Sequence, residues 1–330
     1  MKPSRGAFLA GTAAAAVAAP TLVAAASPAA VASATRGMTL TTLRDGTLDH
    51  VGVRTPRGIV DVAQAAKALG VAQPPLTVDD VIAGRGDIAA LRHLVANAPA
   101  SAIRSESSVQ FGPVVTAPPK IICVGLNYRA HIEETGEKPP PFPDLFNKYN
   151  TALNRHNGTV AVSKVPAVKF DYESELVMIV GKTARDVPEA QALSYVFGYT
   201  TGNDFTARDP QQRVSQWMTG KTPDEFAPLG PWLVTADQIP DPQTLQIQTW
   251  VNNETTPRQD ANTAQMIFNC AHILSYASTF ITLSPGDIIF TGTPSGVITG
   301  YPKDKQVWLK PGDRIRTVIS KLGELHFALT

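Results

Sequence analysis

Residues 171–180 read Asp-Tyr-Glu-Ser-Glu-Leu-Val-Met-Ile-Val, an acidic start followed by an unbroken apolar run. The run predicts a β-strand over Glu173–Val180, and because strand side chains alternate between two faces, Glu173 and Glu175 point the same way. Two carboxylates held together beside apolar residues need a cation or a shared proton. Carboxylate oxygens favour Mg²⁺, Mn²⁺ or Ca²⁺ over zinc. The alternative interpretation is an edge strand whose glutamates face water.

A second acidic segment, residues 202–209, reads Gly-Asn-Asp-Phe-Thr-Ala-Arg-Asp. Asp204 ends a strand predicted over Tyr195–Asp204, where it can supply a third oxygen ligand. Arg208 follows about one helical turn later, and it either meets a substrate carboxylate or pairs with Asp209. Taken alone, the segment also fits a capped turn from strand to helix.

A histidine and a glutamate share one predicted short helix, Asn127–Thr135. His131 and Glu134 are three residues apart, so the carboxylate can orient the imidazole and raise its basicity. A base with an orienting group is the arrangement that activates a water molecule. The alternative is a pair of interacting side chains on the protein surface.

Two further segments carry polar groups in places suited to ligand binding. Lys221 lies in Gly-Lys-Thr, shortly before the turn Gly230-Pro231. Residues 291–297, Thr-Gly-Thr-Pro-Ser-Gly-Val, form a tight loop after a predicted strand. This loop can offer backbone N–H groups and the Thr293 hydroxyl to an anion.

The remaining pattern predicts a mixed sheet, because strands dominate and a regular β-α-β alternation is absent. Further strands are expected at Lys120–Gly125, Val160–Ser163, Leu245–Val251, Asp287–Thr291, Arg314–Ile319 and Leu325–Leu329. A helix is expected at Thr263–Ser278. Residues 136–144 hold four prolines and are expected to form an irregular, mobile flap.

The chain divides into four predicted parts. Residues 1–34 form an export signal, residues 38–100 a small α+β domain with a hairpin turn at Asp45-Gly46, residues 101–119 a linker, and residues 120–330 the larger domain. The signal has a basic start at Lys2 and Arg5, an Ala-rich apolar stretch, and an A-x-A cleavage site that ends at Ala34. It resembles a twin-arginine signal in which Gly6 replaces the second arginine. We expect a periplasmic or secreted protein without a membrane span in its mature form; without processing, the protein would be cytoplasmic.

The charge and cysteine content limit the kinds of partner and site that the sequence supports. Of the 330 residues 17% are charged, the net charge is +1, and no basic stripe appears; we therefore expect no nucleic-acid partner. The two cysteines, Cys123 and Cys270, have no spacing typical of a metal site. Any anionic partner is expected to be a small molecule.

The ordered motifs from Lys120 to the C-terminus together resemble the fumarylacetoacetate hydrolase superfamily. They are G-x-N-Y-x-x-H-x-x-E from Gly125, F-x-K at Phe146, E-x-E-L at Glu173, N-D-x-x-x-R-D-x-Q from Asn203, the Lys221 segment, Gly230-Pro231, and T-G-T-P-x-G-V from Thr291. The N-terminal unit is similar to the extra domain of the family's longer bacterial members. Gln216-Trp217 and the segment that begins at Gly230 look most like the sugar-acid diketo hydrolases and their unassigned relatives.

The resemblance implies an α+β fold, a mixed β-sandwich roll, and a homodimer. It implies Mg²⁺ or Mn²⁺ bound by Glu173, Glu175 and Asp204. It also implies that His131 and Glu134 activate water under a lid, while Lys221 holds substrate oxygens or a developing enolate. The expected substrate contacts are Tyr128, Lys148, Arg208, Gln211 and Thr293.

The expected activity is hydrolysis of a carbon–carbon bond in a 2,4-dioxo acid, of the acylpyruvate or diketo sugar acid type. Two alternatives remain open. One is a decarboxylase or isomerase that uses the same enolate chemistry. The other belongs to a different class, a non-catalytic extracytoplasmic protein that binds metal.

Overall fold

The computed structural model describes residues 24–330, and its largest element is a mixed sheet of twelve strands. The strands of the chain are β1 (Thr39–Asp45), β2 (Leu48–Thr55), β3 (Gly58–Asp61), β4 (Ile103–Arg104), β5 (Ile121–Gly125), β6 (Asp144–Lys148), β7 (Leu153–Arg155), β8 (Gly158–Val160), β9 (Phe170–Asp171), β10 (Ser174–Val180), β11 (Val196–Asn203), β12 (Thr206–Ala207), β13 (Ala227–Leu229), β14 (Leu233–Thr235), β15 (Gln246–Val251), β16 (Gln259–Asn262), β17 (Ile288–Phe290), β18 (Arg314–Ile319) and β19 (Gly323–Leu329).

The helices are short and lie between these strands. They are α1 (Pro28–Thr35), α2 (Val62–Leu69), α3 (Val78–Ile82), α4 (Leu91–Asn97), α5 (Arg129–Thr135), α6 (Glu189–Ala192), α7 (Arg208–Gln211), α8 (Met218–Lys221) and α9 (Cys270–Phe280). Within residues 24–330, no helix combines the length and the apolar character needed to cross a bilayer.

The large sheet has the order β4-β3-β2-β1-β14-β11-β10-β17-β5-β6, with β13 joining β11 to β7. Strand β10 pairs antiparallel with both β11 and β17, and all of its residues are buried. Its side chains pack into two different cores, because Leu176, Met178 and Val180 face one way while Val177 and Ile179 face the other. Strand β10 is therefore an interior strand, which excludes the water-facing edge considered for its glutamates.

A second sheet of five strands, in the order β16-β15-β18-β19-β8, covers part of the first. A third core lies beside it and includes Phe170, Phe205, Phe226 and Phe327, whose rings stack or meet edge to face. Parallel pairs such as β17–β5 and β19–β8 occur among antiparallel ones. The predicted α+β architecture with a mixed β-sandwich roll is confirmed.

The predicted N-terminal unit is built on the hairpin of β1 and β2 around Asp45-Gly46. Asp61 caps α2, and Gly70 ends that helix in the left-handed conformation. The sheet of this unit is continuous with the larger domain, because β1 also pairs with β14. Strand β4, in the predicted linker, returns to pair with β3.

The predicted export signal overlaps the described residues only from residue 24 onward; residues 1–23 lie outside them. The predicted cleavage site, Ala32-Ser33-Ala34, lies inside helix α1, where Val31 and Ala34 are buried. Arg92 holds this helix by donating to the carbonyls of Ser33 and Arg36. Export itself stays a prediction.

Two predicted elements differ from the structure. The helix expected over Thr263–Ser278 begins only at Cys270, because the Asn269 side chain accepts the His272 N–H and caps the helix there. The strand expected over Val160–Ser163 is instead β8, since Asn157 makes a left-handed turn and Gly158 then pairs with Phe327.

Candidate active site

The predicted site residues gather around one cavity of about 350 Å³ at the end of β10. Residues 291–301 and helix α5 close one side of it, and Phe146 and Trp217 contribute an apolar wall. The predicted residues that line the cavity are His131, Glu173, Glu175, Asp204, Arg208, Gln211, Lys221 and Thr293. The sequence motifs, dispersed over more than 160 residues, therefore meet at one place.

Three carboxylates form the floor of this cavity. Glu173, Glu175 and Asp204 each offer an oxygen within 4.8 Å of the others, and all three are buried. The backbone holds them in place, because Asp204 N–H donates to the Glu173 carbonyl at 2.8 Å and Gly292 N–H donates to Glu175 Oε2 at 2.7 Å. This three-oxygen arrangement is suited to a hard divalent cation.

Cationic side chains pair with two of the three carboxylates. Arg208 Nη1 lies 2.7 Å from Glu173 Oε1, and Lys221 bridges Glu173 and Asp204. Burial alone would raise the pKa of Glu173, but the charges of Lys221 and Arg208 lower this pKa to about 2. Lys148 forms a second ion pair with Asp204 at 2.5 Å.

Glu175 is the member of the cluster that lacks an ion pair within residues 24–330. Burial raises its pKa well above the ordinary glutamate value, and the charges of Asp204 and Glu173 raise it further. The cluster together with Asp171 carries four carboxylates, whereas Arg208, Lys148 and Lys221 supply three positive charges. A cation bound there would compensate the remaining negative charge, so the donor set and the local charge both fit a divalent metal.

His131 and Glu134 form the predicted dyad on helix α5. Nδ1 of His131 lies 2.9 Å from Oε1 of Glu134, and His131 is 6% exposed on the wall of the cavity. Because an ionised carboxylate only accepts hydrogen bonds, Nδ1 carries the proton and Nε2 is left as the basic nitrogen. The pair joins a buried histidine at the cavity to a half-buried glutamate, which excludes the surface pair considered from the sequence.

Two of the three nitrogens of Arg208 contact neighbouring side chains, and within residues 24–330 the third is buried without a partner. Its Nε donates to Asp171 Oδ2 at 2.9 Å, and its Nη1 donates to Gln211 and pairs with Glu173. Its buried Nη2 has no hydrogen-bond partner in the described part of the chain. Since a buried donor without a partner is costly, Nη2 is a ready contact for an anionic ligand in the cavity that Arg208 lines.

Two residues expected to contact substrate lie elsewhere. Tyr128 is 1% exposed and packs in the core with Leu176 and Met178, because its place before α5 turns the ring inward. Lys148 lies behind Asp204, where its ammonium group donates to that carboxylate and to the Phe205 carbonyl. Lys148 thus orients Asp204 and does not face the cavity, so neither residue is placed to touch a substrate.

The structure adds residues that sequence reasoning missed. Asp171 is fully buried and accepts hydrogen bonds from Arg208, Ile298 and Thr299. Its position two residues before Glu173 was an available signal, since the two share a side of the extended chain. Gln259 donates to Thr293 Oγ1 at 2.8 Å and accepts from the N–H of Ser174; its sequence context contains no comparable signal.

A second group with metal-ligand side chains, Asp45, His50 and Asp61, lies on the N-terminal unit. Neighbouring groups of the same chain balance its charges. Arg104 pairs with Asp45 at 2.8 Å, and Asp61 caps helix α2 while contacting His50 at 3.0 Å. This group is explained by the structure of the N-terminal unit.

Comparison with known proteins shows which family this chain resembles. Residues 120–330 match the family model described as the C-terminal domain of fumarylacetoacetate (FAA) hydrolase. The chain is 40% identical over 267 residues to the 2,4-didehydro-3-deoxy-L-rhamnonate hydrolase of Sphingomonas sp. (strain SKA58), covering 81% of this chain and 89% of that protein.

Solved structures show the same architecture. Maleylpyruvate hydrolase from Sphingobium sp. SYK-6 is 32% identical with a TM-score of 0.69, over 89% of this chain and 99% of that one. The 5-carboxymethyl-2-hydroxymuconate delta-isomerase from Mycobacterium smegmatis is 29% identical with a TM-score of 0.66, over 89% of this chain and 98% of that one. Relatives of this chain therefore include both hydrolases and isomerases.

Proposed function

The chain belongs to the fumarylacetoacetate (FAA) hydrolase family, and from this membership we propose that it hydrolyses a carbon–carbon bond in a 2,4-dioxo acid. The substrate class is an acylpyruvate or a diketo sugar acid. The observation that carries the proposal is the convergence of the His131–Glu134 dyad and the carboxylate cluster on a single cavity. A base and a cation site in one cavity are what water-dependent cleavage next to a carbonyl requires.

Glu173, Glu175 and Asp204 would hold Mg²⁺ or Mn²⁺. The unpaired charge of Glu175 and the all-oxygen donor set support this assignment. When bound, such a cation supplies Lewis acidity toward the oxygens of a 2-oxo acid.

His131 would act as the general base. Its Nε2 takes a proton from a water molecule, and the oxygen of that water attacks the C4 carbonyl carbon. Glu134 stabilises the imidazolium that results, because its Oε1 accepts a hydrogen bond from the N–H at Nδ1. The C3–C4 bond then breaks, leaving a carboxylic acid and the enolate of pyruvate. The imidazolium returns its proton to C3, which yields pyruvate.

Lys221 and Arg208 would hold the oxygens of the substrate. An ammonium group has three donors, and Lys221 uses two of them on Glu173 and Asp204, which leaves one for the developing enolate. Arg208 offers the unpartnered Nη2 to a carboxylate. Thr293 and Gln211 line the same cavity and supply neutral polar contacts.

An isomerase or decarboxylase is the second candidate, because the structure of an isomerase in the family resembles this chain at 29% identity. The same enolate serves those reactions, but neither one consumes water. The His131–Glu134 dyad, which can activate water at the cavity, favours hydrolysis over both. The products separate the three: pyruvate with an acid, carbon dioxide with a shorter acid, or a rearranged molecule of unchanged mass.

The test is a panel of acylpyruvates and related 2-oxo acids, assayed with Mg²⁺ and with EDTA while pyruvate is measured. His131→Ala is expected to lower kcat by about 10²- to 10⁴-fold, the usual cost of losing a general base. His272→Ala is the matched control, because His272 makes the same 2.9 Å contact through Nδ1 to Glu189 but is exposed and lies outside the cavity. Full activity of His131→Ala, or activity in EDTA equal to that in Mg²⁺, would overturn the assignment.

We further propose that the protein is exported and that it forms a homodimer. The N-terminal signal pattern supports the first proposal, and family membership supports the second. The mass of the protein purified from the extracytoplasmic fraction tests export and fixes the mature N-terminus. Light scattering coupled to size-exclusion chromatography tests the dimer, and a monomeric mass would contradict it.

A further inference from the structure

The carboxylate of Glu134 has two partners, and only one of them is His131. Its Oε1 contacts His131 Nδ1 at 2.9 Å, while its Oε2 accepts the backbone N–H of Gly296 at 2.8 Å. Gly296 is 162 residues away along the chain, in the loop that follows β17. The orientation of the dyad therefore depends on a contact outside helix α5.

Gly300 leaves the space that the Glu134 carboxylate occupies. A Cβ at Gly300 would lie 2.5 Å from Cδ and 2.7 Å from Oε2 of Glu134. Ordinary van der Waals contact with a Cβ begins at 3.4 Å, so a methyl group there would displace the carboxylate by about 1 Å. Helix α5 and the turn at residues 298–300 pack directly on each other at this point.

The peptide of Gly296 is itself held firmly. Its carbonyl accepts hydrogen bonds from the hydroxyls of Tyr172, at 2.7 Å, and Tyr301, at 3.2 Å. Its φ of 102° lies in a region that residues with a side chain rarely adopt. These contacts restrain the backbone on the C-terminal side of Gly296, next to the N–H that Glu134 accepts.

The same loop is anchored to the substrate-binding side of the cavity. Asp171 accepts the N–H groups of Ile298 and Thr299 at 2.9 and 3.0 Å, and its Oδ2 also accepts Nε of Arg208 at 2.9 Å. One buried carboxylate thus fixes both the loop that holds Glu134 and the guanidinium that faces the cavity.

We propose that Gly296 and Gly300 are positioning residues, which hold the Glu134 carboxylate so that His131 keeps its proton on Nδ1 and presents Nε2 to the cavity. The catalytic consequence rests on the proposed hydrolase function. The positional claim concerns only the chain's own hydrogen bonds, and it is measured separately.

The first experiment is ¹⁵N NMR of histidine-labelled full-length protein at about pH 8.5, well above the ordinary histidine pKa of about 6.5. The signals of His131 are identified by their loss in His131→Ala. We expect the Nδ1–H tautomer in the unaltered protein and a majority of the Nε2–H tautomer in Gly300→Ala. Gly52→Ala is the control, because its Cβ would also crowd a neighbour, Ile59 Cγ2 at 2.7 Å, but on the N-terminal unit. An unchanged His131 tautomer in Gly300→Ala would overturn the proposal.

The second experiment adds a compensating change, so that poor folding of Gly300→Ala does not decide the result. Aspartate is one methylene shorter than glutamate and clears the added methyl group. We therefore expect Glu134→Asp to lower kcat in the unaltered protein and to raise kcat in the Gly300→Ala background. Gly300→Ala alone should lower kcat by about 100-fold with little change in KM, as a misplacement of about 1 Å does. An equal loss from Glu134→Asp in both backgrounds would contradict the positioning role.

The two experiments separate this proposal from the proposed function. Absence of turnover on every 2-oxo acid tested would defeat the hydrolase assignment, and the tautomer measurement would still decide the role of Gly300. Mn²⁺ affinity, measured by titration calorimetry, is expected to be the same in Gly300→Ala and the unaltered protein, since the methyl group meets Glu134 and none of the three carboxylates that would bind metal.

Discussion

Replacing Glu175 by glutamine removes one negative charge and leaves the shape of the cluster almost unchanged. Glu175 is 2% exposed, and the described structure gives its carboxylate one hydrogen bond, from Gly292 N–H. The side-chain oxygen of glutamine can accept that same bond. The substitution therefore isolates the electrostatic cost of a buried carboxylate that faces Glu173 and Asp204.

Two opposite effects on stability are expected. Without metal, Glu175→Gln should be more stable than the unaltered protein by about 1–3 kcal/mol, because a buried charge without a partner is replaced by a neutral group. With metal at about 100 times its Kd, the unaltered protein should gain about 2.7 kcal/mol, and Glu175→Gln should gain much less. At about 2.1 cal/mol/K per residue, a chain of this length changes Tm by about 1.5 °C for each kcal/mol.

The stability of the metal-free protein should also depend on pH through Glu175. Because burial and its acidic neighbours raise the pKa of Glu175, the folded state binds this proton more tightly than the unfolded state does. Stability attributable to Glu175 is therefore present below the ordinary glutamate pKa and is lost as the pH rises through the raised value. Glu175→Gln should remove that loss.

Differential scanning calorimetry, in EDTA and then in saturating Mg²⁺, measures both effects. Glu324→Gln makes the same chemical change at an exposed carboxylate and should show neither effect. A lower metal-free Tm in Glu175→Gln than in the unaltered protein would refute the view that the Glu175 carboxylate lacks a positive partner. A Mg²⁺-induced rise in Tm equal to that of the unaltered protein would refute its role in metal binding.

Three further predictions concern the rest of the cavity. Arg208→Lys should reduce kcat/KM by about 10- to 100-fold, mainly through KM, because a hydrogen bond to a charged group contributes about 1.5–3 kcal/mol; steady-state kinetics on the substrate found would show it, and an unchanged KM would contradict it. The ion pairs of Glu173 lower its pKa to about 2. In the metal-free protein they should therefore stabilise the fold fully above about pH 4.5, and this stabilisation should be lost as the pH falls toward 2. Urea unfolding should show that the free energy of unfolding falls less in acid for Glu173→Gln than for the unaltered protein. Gly125→Ala should alter KM according to the length of the acyl chain while Mn²⁺ affinity stays constant, since its Cβ would lie 2.5 Å from Trp217 Cζ3; a uniform effect on all chain lengths would count against this.

Local sequence patterns indicated individual contacts of the site, while the ordered motifs and their family resemblance joined them into one predicted site. The apolar run after Glu175 indicated a buried strand, and burial of two carboxylates on one face implied a positive partner. The spacing of His131 and Glu134 on one short helix indicated their contact, which the structure shows at 2.9 Å. These are interactions between residues that are near each other in the chain, where helix and strand geometry fixes the distance.

Contacts between distant segments were beyond reach of the same reasoning. Nothing local to Glu134 indicates that its second oxygen meets Gly296, because that contact depends on how β17 and the loop after it pack against α5. For Tyr128, a local motif predicted a substrate contact that the fold does not allow. Tyr128 belongs to the motif that contains His131, yet its ring packs into the core, since adjacent residues leave a helix start in different directions.

The boundaries of short elements were also missed for a physical reason. Strand β13 has three residues and contains Pro228, and β7 has three residues as well. Such segments are too short to show a period, and tertiary pairing determines their conformation. Helix α9 was placed too early, because the apolar residues before Asn269 resemble a helix face although the cap lies after them.

The claim that water attacks a carbonyl under the control of His131 is tested most directly with an isotope. Turnover of an acylpyruvate with Mg²⁺ in H₂¹⁸O should yield pyruvate and, in equal amount, a carboxylic acid that carries ¹⁸O in its new carboxyl group. Mass spectrometry of the released acid reports the label, and His131→Ala should suppress its formation. Release of carbon dioxide, or a rearranged product without a labelled acid, would contradict the account.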